Sequence, residues 1–311
     1  MSEPALTVHP VPSMGAEDVL VTPDGTVLTG TADGVIWALD PATGNTRRVA
    51  DTGGRPLGIE LLPDGDLLVC DARRGLLRVS RDDGAVEVLV GEVDGEPMRF
   101  CNNAAVAADG TVWFSDSSLH HGIDHWKDDF VEHTRTGRLL RRDPDGAVEV
   151  VLTGLAFANG VALAADESYV AVAECRGRTL VRLWLTGPRA GERDHLVTDL
   201  PGYPDNISRG SDGLIWVAVA SPVDGLVERL GTAPMPLRKA VTRIPERLQP
   251  KPAQTIRVHA YDDDGRLVHD LDLPRPERGP GYHMVTGVRE HDGRVWLGSL
   301  HEPAVAVVDR P

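Results

Sequence analysis

Six segments of the chain carry a turn flanked by apolar runs, centred on Asp24, Asp64, Asp109, Asp166, Asp212 and Asp292. Seven residues before these aspartates stand Glu17, Leu57, Asn102, Asn159, Asp205 and Val285. Four of the six positions carry an oxygen donor, and the next positions add Asp18, Asn103 and Asn206. The chain has five asparagines, and only Asn45 lies outside this register. Asparagine is a poor strand former, so its concentration at the start of strands asks for a cause. A single Asn or Asp there would read as a turn cap. Four in one register read as a ligand set: Glu17, Asn102, Asn159 and Asp205, with Asp18, Asn103 and Asn206 behind them. All donors are oxygens and two are carboxylates, which is hard-cation chemistry. Ca2+ fits best. Mg2+, Mn2+ or Zn2+ are the occupants to weigh in its place, structural Zn2+ suiting oxygen donors least.

A second set of ionisable residues is expected beside this mouth. The strand after each turn runs back toward the same face, and its end carries Asp71, Asp116, Glu174 and, one step further, His301. With Asp205 these are the candidates for proton transfer or nucleophilic attack; each alone also reads as a turn cap. His120, His121 and His125 crowd one insertion but lack an evident fourth ligand. Cys70 and Cys175 lie at strand ends with no basic neighbour to activate them.

The elements that must hold these residues follow from the repeat. Five of the turns are Asp-Gly, a pair whose tolerance of left-handed backbone suits a hairpin. Most hairpins are followed by a third apolar run, a second turn and a fourth run such as VEVLV or VEVVL. Six units of roughly four strands predict an all-β, six-bladed β-propeller, one domain over residues 1–311. Trp113, Trp216 and Trp296 share one offset, four past the turn aspartate, with Leu28 and Leu68. The last unit has three obvious strands. Ala5 to Val8 is expected to supply the fourth and close the ring. Two segments break the rhythm, about 117–138 and 221–254. Both follow the second strand of a blade, so both are expected to cap the face that bears the ligand ring. Leu226, Leu230, Met235, Leu237 and Val241 of the second are expected to line a roof or pack near Trp126.

Composition narrows the partners. The charge is −15, from 32 basic and 47 acidic residues, which repels phosphate backbones and argues against nucleic acid. No apolar run reaches the ~20 residues of a membrane helix. The start, MSEPALTVHP, lacks a secretory pattern, and three widely spaced cysteines fit a reducing cytoplasm. The expected partner is a small-molecule substrate; the oligomeric state stays open.

The stretches RFCNNAAVAADGTVWFSDSS, GLAFANGVALAADESYVAVAE, LPGYPDNISRGSDGLIWVAV and VREHDGRVWLGSL resemble the strictosidine synthase-like proteins. These group with gluconolactonase (senescence marker protein), paraoxonases and diisopropyl fluorophosphatase. The resemblance runs from about Gly15 to Asp309. It implies a six-bladed propeller with one ion at the tunnel mouth, on a Glu, Asn, Asn, Asp set similar to Glu17, Asn102, Asn159 and Asp205. Three departures qualify it. Thr286 stands where strictosidine synthase has its catalytic Glu. Ala72 stands where paraoxonases have a histidine, and Asn103 replaces a usual Asp. Three functions follow as expectations. The first is a Ca2+-dependent hydrolase of a lactone or ester. The alternative is a non-hydrolytic cyclase, isomerase or condensing enzyme of specialised metabolism. The third is a binding propeller with a structural ion.

Overall fold

The computed structural model describes residues 6–244, 253–274 and 281–311. It is a ring of six four-stranded antiparallel sheets. Blade one runs Leu20–Val21, Val27–Gly30, Val35–Leu39 and Thr46–Asp51, from the tunnel outward. Blades two to five repeat this order, opening at Pro56, Cys101, Ala158 and Gly202. Blade six takes three strands from Val285–His291, Arg294–Ser299 and Ala304–Asp309, and a fourth from Thr7–Pro10. Thr7 pairs with Val307 and Pro10 with Ala304, so the N-terminal strand covers the edge of Ala304–Asp309 and closes the ring. Ala5, the first residue of the expected strand, lies outside the described residues.

Local chemistry explains the turns. Asp64, Asp109, Asp166 and Asp212 each accept a backbone N–H from two residues on, at 3.2, 2.8, 3.0 and 3.0 Å. The residue after the aspartate is left-handed: Gly65 has φ +94°, and Glu167 manages φ +56° without glycine. Trp113, Trp216, Trp296, Leu28 and Leu68 are all buried between blades.

The sixth hairpin differs. His291 pairs with Arg294 across two residues, whereas Leu61 pairs with Leu67 across five. Its inner strand is therefore one residue out of step with the sequence count. The position equivalent to Glu17 is Thr286, not Val285.

The two insertions fold as helices over one face. The first gives α1, Trp126–Glu132; the second gives α2, Gly225–Gly231, and α3, Met235–Thr242. α1 packs against both others. Residues 245–252 of the second insertion lie outside the described residues. Among the described residues no helix is long and apolar enough to cross a membrane.

Candidate metal centre

A β-bulge builds the ring. In blades two to six the inner strand carries one extra residue, between Pro56 and Ile59, Cys101 and Ala104, Ala158 and Val161, Pro204 and Ile207, and Val285 and Val288. A bulge releases a residue from the ladder and re-aims its side chain. The released pairs are Leu57-Gly58, Asn102-Asn103, Asn159-Gly160, Asp205-Asn206 and Thr286-Gly287. Glu17-Asp18 is the matching pair of blade one, just before its inner strand. The first members face one narrow cavity of about 50 Å³, which Glu17, Asn102, Asn159 and Asp205 share with Leu57 and Thr286.

The second members alternate between polar residues and glycine around the ring, a pattern visible in the sequence but not anticipated from it. Asp18 Oδ2 accepts the Ile59 N–H at 3.1 Å and Asn103 Oδ1 accepts the Val161 N–H at 2.9 Å. Each thus fastens its blade to the next. A Cβ on Gly160 would run into the Ile207 nitrogen and the Asn206 backbone, and one on Gly287 into Asp18. Asn206 donates from Nδ2 to Glu17 Oε1 at 3.2 Å.

Part of the ring's oxygen set is left without donors. Among the described residues four buried side-chain oxygens have no hydrogen-bond partner: Glu17 Oε2, Asn102 Oδ1, Asn159 Oδ1 and Asn206 Oδ1. All four belong to the set isolated from the sequence. Asn102 is oriented by its amide donating to Ser117 Oγ at 2.8 Å, which in turn donates to the Ala158 carbonyl at 2.7 Å. Its oxygen is left for the cavity. Orphaned buried oxygens each cost about 1–3 kcal/mol, so three of them on residues lining one cavity, Glu17, Asn102 and Asn159, call for a partner. The carboxylates agree. Burial, then the charges of Asp205 and Asp18, push Glu17 well above the usual carboxylate range. Burial pushes Asp205 up to about 7 and Asp18 up to about 6. A divalent cation fits this donor set: all oxygen, two carboxylates, two amide carbonyls.

The other expected catalytic residues lie outside this cavity. Asp71 accepts the Arg73 and Arg74 N–H groups at 2.9 and 3.0 Å and the Thr52 hydroxyl at 2.7 Å. Asp116 accepts the Phe100 N–H at 3.0 Å and pairs with Arg138 at 2.9 Å. Glu174 accepts the Ala156 N–H at 2.8 Å and the Thr179 hydroxyl at 2.9 Å. These three carboxylates bind strands and connections together. His301 is exposed and stacks on His283, with ring centroids 5.9 Å apart. His121 faces Glu132 at 3.3 Å and His125 faces Asp128 at 3.0 Å, so the lid histidines do not converge. Asp205 alone of the candidates faces the ring.

Aromatic residues, which the sequence reading passed over, form the walls. Phe130 of α1 packs edge-on against Phe157 and Tyr203, at 4.9 and 5.5 Å between centroids, and Phe157 against Phe100 at 5.3 Å. Arg176, buried in blade four, clamps the lid. It donates to the Phe130 carbonyl at 3.2 Å and the Val227 carbonyl at 2.9 Å, and pairs with Glu228 at 2.6 Å. Leu226, Leu230 and Val241 line a second cavity beside the first. Met235 and Leu237 do not; they are 41% and 53% exposed. They occupy the outer side of α3, which the other helices do not cover.

The same architecture occurs elsewhere. A gluconolactonase from Xanthomonas campestris superposes with a TM-score of 0.71 at 16% identity, covering 99% of this chain and 90% of that one. The calcium-binding protein regucalcin from Agrobacterium tumefaciens superposes with a TM-score of 0.67 at 14% identity, covering 97% and 92%. Both share the fold. Strictosidine synthase-like 10 from Arabidopsis thaliana is 34% identical over 267 residues, 82% of this chain and 70% of that protein. Residues 27–232 match the model of the SMP-30/gluconolactonase/LRE-like region. With two-thirds of its length inside that match and the bulge-borne ring in place, the chain belongs to the SMP-30/gluconolactonase/LRE-like family and has strictosidine synthase-like relatives.

Proposed function

We propose that the protein is a cation-dependent hydrolase of a small lactone or ester, with Ca2+ held by Glu17, Asn102, Asn159 and Asp205. The observation that carries this is that Glu17, Asn102 and Asn159, each with a partnerless buried oxygen, line one walled cavity together with Asp205. The bound cation supplies a Lewis acid for a carbonyl oxygen and the oxyanion that follows. Asp205 is the group that takes a proton from the attacking water, since the other carboxylates near the face are spent on backbone N–H groups. Phe130, Phe157 and Tyr203 shape the mouth and hold the ring of the substrate against the floor. The gluconolactonase and calcium-binding neighbours are consistent with this reading.

The strictosidine synthase-like relatives keep a non-hydrolytic reaction as the second reading. Against it, blade six presents Thr286, whose hydroxyl donates to the Glu17 carbonyl at 2.8 Å, and no carboxylate. A panel of lactones, aryl esters and phosphotriesters, assayed with Ca2+ and with chelator, tests the proposal. Chelator-sensitive hydrolysis of a lactone or carboxylic ester is expected. Absence of turnover across the panel in calcium-loaded protein would refute it.

A further inference from the structure

We infer that Arg55 anchors a carboxylate on the substrate, which narrows the substrate to a lactone that carries a free acid group. This rests on the hydrolase reading above. Among the described residues three arginines are buried: Arg55 and Arg176, each 5% exposed, and Arg138, 6% exposed. Arg138 pairs with Asp116 at 2.9 Å and Arg176 with Glu228 at 2.6 Å. Arg55 forms no ion pair among the described residues, and its side chain makes one hydrogen bond, from Nη1 to the Gly15 carbonyl at 2.9 Å. A guanidinium carries five N–H donors and a charge that it does not shed, so a buried one is normally paired. None of the Arg55 side-chain atoms is both unpartnered and fully sealed, so its free N–H groups stay reachable.

Position ties Arg55 to the candidate metal centre. It stands two residues before Leu57, the blade-two member of the ring. The residues at that place in blades three to six, Phe100, Phe157, Tyr203 and Met284, all line the cavity. In blade one the place belongs to Gly15, and the guanidinium lies against it. A Cβ there would meet Arg55 Nη2 at 2.8 Å and the carbonyl of Leu300, a cavity residue, at 2.9 Å. Glu17 feels the charge: burial, Asp205 and Asp18 raise its pKa, and Arg55 opposes them. A divalent cation on the ring takes up the Glu17 charge and leaves the guanidinium without a counter-ion. Blade two gives the ring an apolar Leu57 and so no ligand; what it places beside the site is this charge. The planar fork of N–H groups matches the two oxygens of a carboxylate. Asp33 and Asp71 stand within electrostatic reach of Arg55, so a monoanion suits it better than a phosphate dianion.

The test compares an acid with its neutral carboxamide in calcium-loaded protein. The kcat/KM for 5-oxotetrahydrofuran-2-carboxylate should exceed that for its carboxamide at least tenfold, the scale of one charge-assisted hydrogen bond. Arg55→Met should lower this ratio at least tenfold. Arg55→Lys, which keeps the charge without the fork, should lower it at least threefold but by less than Arg55→Met, and it carries the test if Arg55→Met does not fold. A ratio near one in the wild type, or a ratio unmoved in every folded variant, would overturn the anchor. Calorimetric binding of 3-oxocyclopentane-1-carboxylate against its carboxamide separates this inference from the hydrolase reading. At least tenfold tighter binding of the keto acid, lost in Arg55→Met, supports the anchor even if no lactone is turned over. Equal binding of the two ketones refutes it even if lactones are hydrolysed. A preference for the acid that survives undiminished in Arg55→Met belongs to the cation and refutes it as well.

Discussion

Glu17→Gln should stabilise the cation-free protein and halve the stabilisation that Ca2+ adds. The glutamate is 3% exposed, with Oε2 unpartnered and its acidity weakened by burial and by Asp205 and Asp18. An acid whose folded pKa is raised favours folding only while protonated, and that share is lost as pH rises above its unfolded value. In chelator at pH 8 the wild type is therefore destabilised by this buried acid beside Asp205 and Asp18. Replacing it with an isosteric amide should stabilise the cation-free protein by about 1–3 kcal/mol. The unfolding entropy of 311 residues is about 0.65 kcal/mol/K, so 2 kcal/mol is roughly 3 °C in Tm. The gain should shrink toward pH 5. With Ca2+ the advantage narrows. At a hundredfold excess over Kd the ion stabilises wild type by about 2.7 kcal/mol, roughly 4 °C. Halving the ring's charge and weakening binding tenfold would cut this to about 1.4 kcal/mol, roughly 2 °C. Thermal melts of both proteins at pH 5 and 8, in chelator and in Ca2+, provide the test. A variant less stable than wild type in chelator at pH 8, or one with an undiminished calcium shift, would refute the assignment of Glu17 to a cation site.

Asn159→Ala should leave the chelated protein close to wild type but weaken Ca2+ binding measured by calorimetry; unchanged affinity would remove Asn159 from the ligand set. Gly160→Ala should cost about 1–3 kcal/mol in denaturant melts, because its Cβ meets the next blade's backbone; a neutral result would contradict the packing described. Arg176→Ala should speed proteolysis within residues 225–242 while sparing Ca2+ affinity, since it removes the clamp to Phe130, Val227 and Glu228. Asp194 is held at about 2, chiefly by its hydrogen bond from Arg182. Its contribution is present above pH 4 and lost as pH falls through 2. Discounted for its 27% exposed side chain, it is roughly 1 kcal/mol. Asp194→Asn should lower Tm by about 1.5 °C at pH 7, with the gap narrowing toward pH 3.

The blade count and the four ring donors were legible in the sequence because both follow from short-range order. A turn aspartate bonds its own backbone two residues on, so the turns recur as motifs. The bulge lies a constant distance before them, so Glu17, Asn102, Asn159 and Asp205 fall in one register. The same count failed in blade six because a two-residue loop replaced a five-residue one, moving Thr286 into the place assigned to Val285. Which carboxylates remain available was decided only by the tertiary structure. Asp71, Asp116 and Glu174 look alike in sequence to a catalytic acid, yet each is spent on groups brought in by other strands and connections, such as Thr52, Arg138 and the Ala156 N–H. The lid followed the same division. Its place over the ring follows from the strand it interrupts. The sides its helices bury depend on packing between segments about a hundred residues apart, which put Leu230 and Val241 beside Trp126 and left Met235 and Leu237 to solvent. Hydrogen-bond partners and buried faces belong to pairs of distant segments, and a one-dimensional pattern records only one member of each pair.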